Sequence, residues 1–178
     1  MKKISFFEKN FSLLLTEQEI MRSIEKIAND INRDYELKNP LFIAVLNGAF
    51  MFAADLLKHI QIECDISFVK YSSYSGTTST GNVTELIGLD VSPYQRHVII
   101  LEDIVDSGAT IDLLRRSIYT RQPIDVKIAT LFFKKVSYTM NIPISYSGIE
   151  VPNKFIIGYG LDIDGKGRNL RDVYQLED

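Results

Sequence analysis

A single cysteine, Cys64, and two histidines occur in the 178 residues. One thiol cannot close an intrachain disulfide, and no Cys/His spacing suited to a structural metal is present. Cys64 falls on an apolar alternation and is expected to be buried filler. Long hydrophobic runs are also missing. The most apolar stretch, Leu41 to Leu57, is broken by Asn47, Gly48 and Asp55. It falls short of the roughly 20 apolar residues that a spanning helix needs. The first residues, MKKISFFEKN, open with two lysines but hold no sustained apolar run before Glu8, which argues against a signal peptide. Nor is there an excess of positive charge: the formal net charge is −3. Binding along a phosphate backbone favours a basic face, so nucleic acid is not expected as the main partner. These absences lead to an expectation of a cytoplasmic protein with neither membrane nor nucleic-acid partner.

The rest of the composition is ordinary, with 46% hydrophobic and 24% charged residues, and the length suits one domain with a substantial core. No internal repeat or interdomain linker is visible. Thr16-Glu17-Gln18-Glu19 fits a capping box, and Ile20, Ile24, Ile27 and Ile31 fall on one stripe, which predicts a helix to about Asp34. Leu41 to Leu46 reads as a buried strand after the break at Asn39-Pro40. Asn47-Gly48 turns it into a second helix, Ala49 to about His59. Ile62, Cys64, Ile66 and Phe68 alternate at strand spacing. Residues 72 to 82, SSYSGTTSTGN, hold one aromatic and no formal charge. They read either as a flexible connection or as a lid that orders over substrate. Val83 to Gly88, Val126 to Phe133 and Phe155 to Tyr159 read as further strands. The region around Pro143 and Pro152 looks looser, and the tail from Leu161 is polar and mixed. Alternating strands and helices argue for an α/β fold with a mainly parallel sheet. Ligands sit outside the carboxyl ends of such strands. Asn47-Gly48, Glu102 to Thr110 and Lys134 all follow on strand ends, so one crevice should gather them.

The most informative segment is VIILEDIVDSGAT, Val98 to Thr110. An apolar quartet leads to Glu102 and Asp103, then to a polar turn, Asp106 to Thr110, that opens a helix whose apolar positions are Ile111, Leu114 and Ile118, with Leu113 adding width. A Gly-containing turn at a helix start offers free N–H groups and a positive dipole end to a phosphate. Three carboxylates beside it would repel a phosphate unless a divalent cation and sugar hydroxyls lie between. Mg²⁺ with a phosphorylated sugar satisfies both demands. Taken alone, the same residues would also suit an ordinary helix start capped by Asp106. Neither a Walker loop nor a G-x-G-x-x-G fingerprint is present.

This segment resembles the ribose-phosphate signature of the type I phosphoribosyltransferases. VLNGAFMFAADLL, SSYSGTTSTGN, ATLFFKK and VPNKFIIGYGLDIDGKGRNL resemble, in the same order, segments of the hypoxanthine(-guanine) branch. The resemblance implies a type I phosphoribosyltransferase fold: a mainly parallel sheet flanked by helices, with a core of about residues 36–150. A small hood subdomain would come from the N-terminal segment and residues 151–178. It also implies a purine-salvage reaction, in which 5-phosphoribosyl 1-diphosphate and a 6-oxopurine give the nucleotide and diphosphate. Hypoxanthine is the expected base, with guanine as a second.

The implied roles follow residue by residue. Glu102, Asp103, Asp106, Ser107, Gly108, Ala109 and Thr110 would hold the phosphoribosyl group, with Asp106 as the acid/base facing purine N7. An unshifted Asp has a pKa of about 3.9, so Asp106 is expected chiefly to accept a hydrogen bond from the N7 proton. Lys134 would donate to O6; an ammonium has only donors and suits a 6-oxo group better than a 6-amino group. Phe155 would stack on the purine, Ile156 would offer backbone groups, and Asp162 would meet the base edge. Asn47, Gly48 and Arg168 would contact diphosphate. Relatives carry a basic residue where Asn47 stands, and Asn cannot neutralise charge, so Mg²⁺ and Arg168 would carry more of that work. A cis peptide is expected at Asn47-Gly48. Ser73 and Tyr74 would begin the lid. Mg²⁺ would be held by Glu102, Asp103 and, through water, Asp162. A homodimer or homotetramer is implied in the same way. Two rivals stay open: transfer to another base, such as xanthine or a pyrimidine, and a regulator of this fold that binds nucleotides and RNA.

Overall fold

The computed structural model describes residues 3–73 and 83–177. Two sheets organise them. The larger has six strands in the order β5-β4-β3-β6-β7-β8: β3 is Leu41–Leu46, β4 Asp65–Ser73, β5 Val83–Ile87, β6 His97–Val105, β7 Asp125–Phe133 and β8 Tyr146–Glu150. Five of these run parallel, and β5 pairs antiparallel on the β4 edge. The smaller sheet is antiparallel, in the order β1-β2-β10-β9, built from Lys3–Phe6, Lys9–Leu15, Val173–Leu176 and Ile156–Ile157.

Three helices cover the parallel sheet. Helix α1, Glu17–Asp34, begins at the Thr16/Glu19 capping box and buries Ile20, Ile24, Ile27 and Ile31. Burial of each such isoleucine is worth about 1.5–3 kcal/mol. With α2, Phe50–His59, it packs on one face against Phe42, Ala44, Ile99, Leu101, Ala129 and Leu131. Helix α3, Ala109–Tyr119, packs on the other face against Ile43, Ile100 and Ile128. Strands covered on both faces lose alternation and read as continuous apolar runs, which is the pattern of Leu41–Leu46.

Several expectations need correction. The motif strand does not stop at Leu101: its ladder with β7 continues through Glu102↔Thr130 to Val105↔Phe133, so both acids lie within β6. The looser region contains β8, which extends the parallel sheet at the β7 edge. Phe155 to Tyr159 shrinks to the two residues of β9, which belong to the antiparallel sheet. The polar tail forms β10 because β2 and β9 complete its ladders. In β4 the face is reversed: Val69 is buried while Phe68 is 40% exposed. Leu113 is exposed to the same extent and does not widen the α3 stripe. Cys64 is only half-buried, at the margin of the α1/α2 core. No helix among the described residues is long and apolar enough to cross a membrane.

Candidate active site

The carboxyl ends of β3, β6 and β7 lie side by side, and these ends with the turns after them carry Asn47, Gly48, Glu102 to Thr110 and Lys134. At the end of β6, Asp106 and Ser107 form the turn and Gly108 is the N-cap of α3, with φ of 88° and no side chain capping the helix. The Asp106-capped alternative is therefore wrong: glycine occupies the cap because only a residue without Cβ fits. A Cβ there would stand 2.5 Å from a Tyr138 ring carbon, in addition to the left-handed φ. The Ala109 N–H donates to Ser107 Oγ at 3.4 Å, and the start of α3, with the dipole end of the helix, borders a pocket of about 100 Å³. Residues Asp106 to Ile111 line that pocket together with Glu102, Ile104 and Val105.

Glu102 is buried, and its Oε2 has no hydrogen-bond partner among the described residues. Burial, reinforced by the neighbouring Asp103 carboxylate, pushes its pKa well above the usual range. Asp103 is raised to about 6, chiefly by burial, against the opposing pull of the Ile104 backbone N–H and of Arg168. That N–H donates to Asp103 Oδ1 at 2.8 Å. A buried carboxyl pair with an oxygen that has no hydrogen-bond partner among the described residues suits a hard cation, and oxygen donors are the ligands that Mg²⁺ takes. No three acidic, His or Cys side chains among the described residues form a protein-only cage. Glu102, Asp103 and Asp162 are thus not a closed set of ligands, and substrate oxygens and water would have to complete the shell.

Lys134 follows β7 directly. Its backbone N–H donates to Val105 O at 2.9 Å, and its ammonium donates to Asp106 Oδ2 at 3.0 Å. The Lys134 side chain is 12% exposed and Asp106 50%. The residue expected to read O6 and the residue expected to face N7 are therefore ion-paired to each other.

On the other flank of β6, the Asn47-Gly48 turn ends β3. The cis bond lies one position earlier than expected, between Leu46 and Asn47. Gly48 packs directly on Asp103: a Cβ would sit 1.7 Å from Asp103 Oδ2 and displace that carboxyl group. Beside it runs the loop of residues 158–170. Arg168 donates to Gly160 O at 2.6 Å and pairs with Asp162 Oδ1 at 2.6 Å. Asp162 also accepts from Gly165 N at 2.7 Å. Arg168 is thus held by two acceptors.

Phe155 is 46% exposed, tilted against Phe11 at 6.4 Å, and lines a cavity of about 480 Å³ together with Asp162. Ile156 is buried beside it in β9. Lys9 and Leu176 join the same cavity, and no local pattern marks them, since they come from the ends of β2 and β10, far apart in the chain. Ser73 ends β4; Tyr74 and the lid residues 74–82 lie outside the described residues.

The comparison with known proteins agrees with this geometry. A model of the phosphoribosyl transferase domain matches residues 12–164. The chain is 40% identical over 167 residues to the hypoxanthine-guanine phosphoribosyltransferase of Streptococcus pyogenes, covering 93% of each. It is 40% identical over 159 residues to the hypoxanthine-guanine-xanthine phosphoribosyltransferase of Tritrichomonas foetus, covering 89% of this chain and 87% of that one. A crystal structure of a Bacillus anthracis hypoxanthine-guanine phosphoribosyltransferase superposes with a TM-score of 0.88 at 36% identity, covering 93% of this chain and 98% of that one. With a domain match across most of its length and relatives of this identity, the chain belongs to the phosphoribosyltransferase family.

Proposed function

We infer that the chain transfers the 5-phosphoribosyl group from 5-phosphoribosyl 1-diphosphate to hypoxanthine, and also to guanine, in purine salvage. The observation that carries this reading is the uncapped start of α3 set beside the buried, unpartnered Glu102. That arrangement suits a sugar phosphate whose hydroxyl side is held by metal-bridged acids. The 5′-phosphate would rest on the backbone of Asp106 to Thr110, helped by the Ser107 and Thr110 hydroxyls. Glu102 and Asp103 would hold Mg²⁺ and the ribose hydroxyls, with Asp162 reaching the ion through water. Bound there, Mg²⁺ would neutralise charge on the diphosphate.

The reaction forms the C1–N9 bond and breaks the bond from C1 to a diphosphate oxygen. As N9 bonds to C1, the proton on N7 becomes acidic and Asp106 accepts it through a hydrogen bond. The Lys134–Asp106 ion pair supports a coupled entry step. A 6-oxopurine offers an acceptor at O6 and a donor at N7, so it can replace each partner of the pair in one move. Adenine offers a donor at its 6-position and leaves the Lys134 ammonium without an acceptor there. Phe155 would stack on the base, with the Ile156 backbone at its edge. Arg168, Asn47 and Gly48 would receive the diphosphate. Positioning and charge neutralisation supply most of the rate.

The antiparallel sheet with residues 151–178 acts as the hood over a core of residues 36–150, all within one phosphoribosyltransferase domain. We place the enzyme in the cytoplasm as a homodimer or homotetramer, with no nucleic-acid or membrane partner. Diphosphate release should be measured with hypoxanthine, guanine, xanthine, adenine and uracil, with and without Mg²⁺. Release with the first two bases and Mg²⁺ only is expected. Turnover of adenine or uracil at comparable rates would refute the O6 reading.

A further inference from the structure

Tyr159 is among the largest side chains fully enclosed by the fold, at 2% exposure. It adopts a left-handed φ of 48°, which non-glycine residues rarely take, between Gly158 and Gly160. A buried phenol needs a partner for its hydroxyl. Tyr159 finds it across the molecule: its OH donates to Asp55 Oδ2 of α2 at 2.5 Å. The other Asp55 oxygen pairs with Lys58 at 2.7 Å.

The bond joins α2, the helix that follows the Asn47-Gly48 turn, to the loop that carries Arg168. Helix α2 grows directly out of the Asn47-Gly48 turn. Tyr159 opens the loop that ends on Arg168, with its N–H donating to Leu170 O at 2.9 Å. Immediately after it, Gly160 approaches the turn so closely that a Cβ would stand 2.3 Å from Gly48 O. Gly160 also binds Arg168 twice, its N–H donating to Arg168 O at 2.9 Å and its carbonyl accepting from Nη1 at 2.6 Å. Loop and turn thus meet backbone to backbone, and the phenol–carboxylate bond fastens the loop to the helix that grows from the turn.

We propose that Tyr159 and Asp55 form a positioning pair that holds Arg168 and the Asn47-Gly48 turn in register for the diphosphate of the ribosyl donor. The proposal rests on the assignment of that subsite given above. Neither residue touches the reacting atoms; both act through the loop and the turn.

The test is steady-state kinetics on Tyr159→Phe, Asp55→Ala and Asp55→Asn, with thermal unfolding of each. Tyr159→Phe should raise KM for 5-phosphoribosyl 1-diphosphate, and the inhibition constant of diphosphate, by about tenfold, the scale of one lost hydrogen bond to a charged group. KM for hypoxanthine should stay within about twofold, since the base is held elsewhere. Asp55→Ala should reproduce this split, and serves in place of Tyr159→Phe if the latter does not fold. Asp55→Asn keeps an acceptor for the phenol and should restore donor affinity. The double variant Tyr159→Phe/Asp55→Ala should be no worse than either single change. Equal shifts in both KM values, or no shift in the donor KM, would overturn the proposal. Arg168→Ala separates the two levels. If it leaves the donor KM unchanged, the subsite assignment falls and the proposal with it. If it raises that KM while Tyr159→Phe does not, only the positioning role is refuted.

Discussion

Asp103→Asn should make the metal-free protein more stable while removing its activity. The Asp103 carboxyl titrates at about 6 in the folded chain, raised chiefly by burial. In the unfolded chain it titrates at about 3.9, so the gap of about two pH units corresponds to about 3 kcal/mol. The sign follows from proton binding. Between these two values the folded state holds the proton and the unfolded state does not. The stabilisation from the protonated form is complete below about pH 4 and is lost as pH rises through about 6. At pH 7.5 the wild-type protein therefore carries a buried charge that asparagine would not. Asparagine has nearly the same shape, and its Oδ1 can still accept the Ile104 N–H that Asp103 binds at 2.8 Å. Urea unfolding in EDTA should show the variant more stable than wild type by about 2–3 kcal/mol at pH 7.5, and by little at pH 4.5. Adding Mg²⁺ with the ribosyl donor should stabilise wild type much more than the variant. A variant of equal or lower stability in EDTA at pH 7.5, or a gain that does not depend on pH, would refute the reasoning.

Three further substitutions test other parts of the site. Asp106→Asn should lower kcat by about 10²-fold or more while nucleotide affinity changes little, measured by single-turnover kinetics and equilibrium titration. Lys134→Gln should erode discrimination against adenine by about tenfold or more, read as the ratio of kcat/KM for hypoxanthine and adenine; an unchanged ratio would remove Lys134 from O6. Gly48→Ala forces a Cβ to within 1.7 Å of Asp103 Oδ2, so Asp103 must move. Donor-dependent turnover should fall far more than thermal stability does, and retained turnover would show that the turn and Asp103 need not touch.

The sequence made the parallel core legible because each of its main elements carries a local signal. The capping box and four-isoleucine stripe of α1, and the Leu41–Leu46 run, match the structure closely. The resemblance to phosphoribosyltransferases, carried by five ordered segments, is borne out by the domain match and the relatives. What escaped is what depends on distant partners. β10 is a strand because β2 and β9 flank it, and nothing within VYQL announces that. β8 is held by its ladder to β7. Glu102 and Asp103 were legible as candidate site residues, but the enclosure of Glu102 was not, because carboxylates are seldom buried and its burial comes from the neighbouring strands. The bond from Tyr159 to Asp55 joins residues 104 positions apart, a separation that periodicity cannot bridge. The Lys134–Asp106 pair was equally out of reach: each residue was visible as a candidate, but their contact arises only because β6 and β7 are neighbours.

The most direct test is a crystal structure of the protein with inosine monophosphate and Mg²⁺. The 5′-phosphate should lie within hydrogen-bond distance of backbone N–H groups at the start of α3, with Glu102 and Asp103 on the ribose-hydroxyl side. Lys134 should have left Asp106 for O6. A nucleotide bound elsewhere, with the α3 pocket unfilled and the Lys134–Asp106 pair intact, would contradict the assignment.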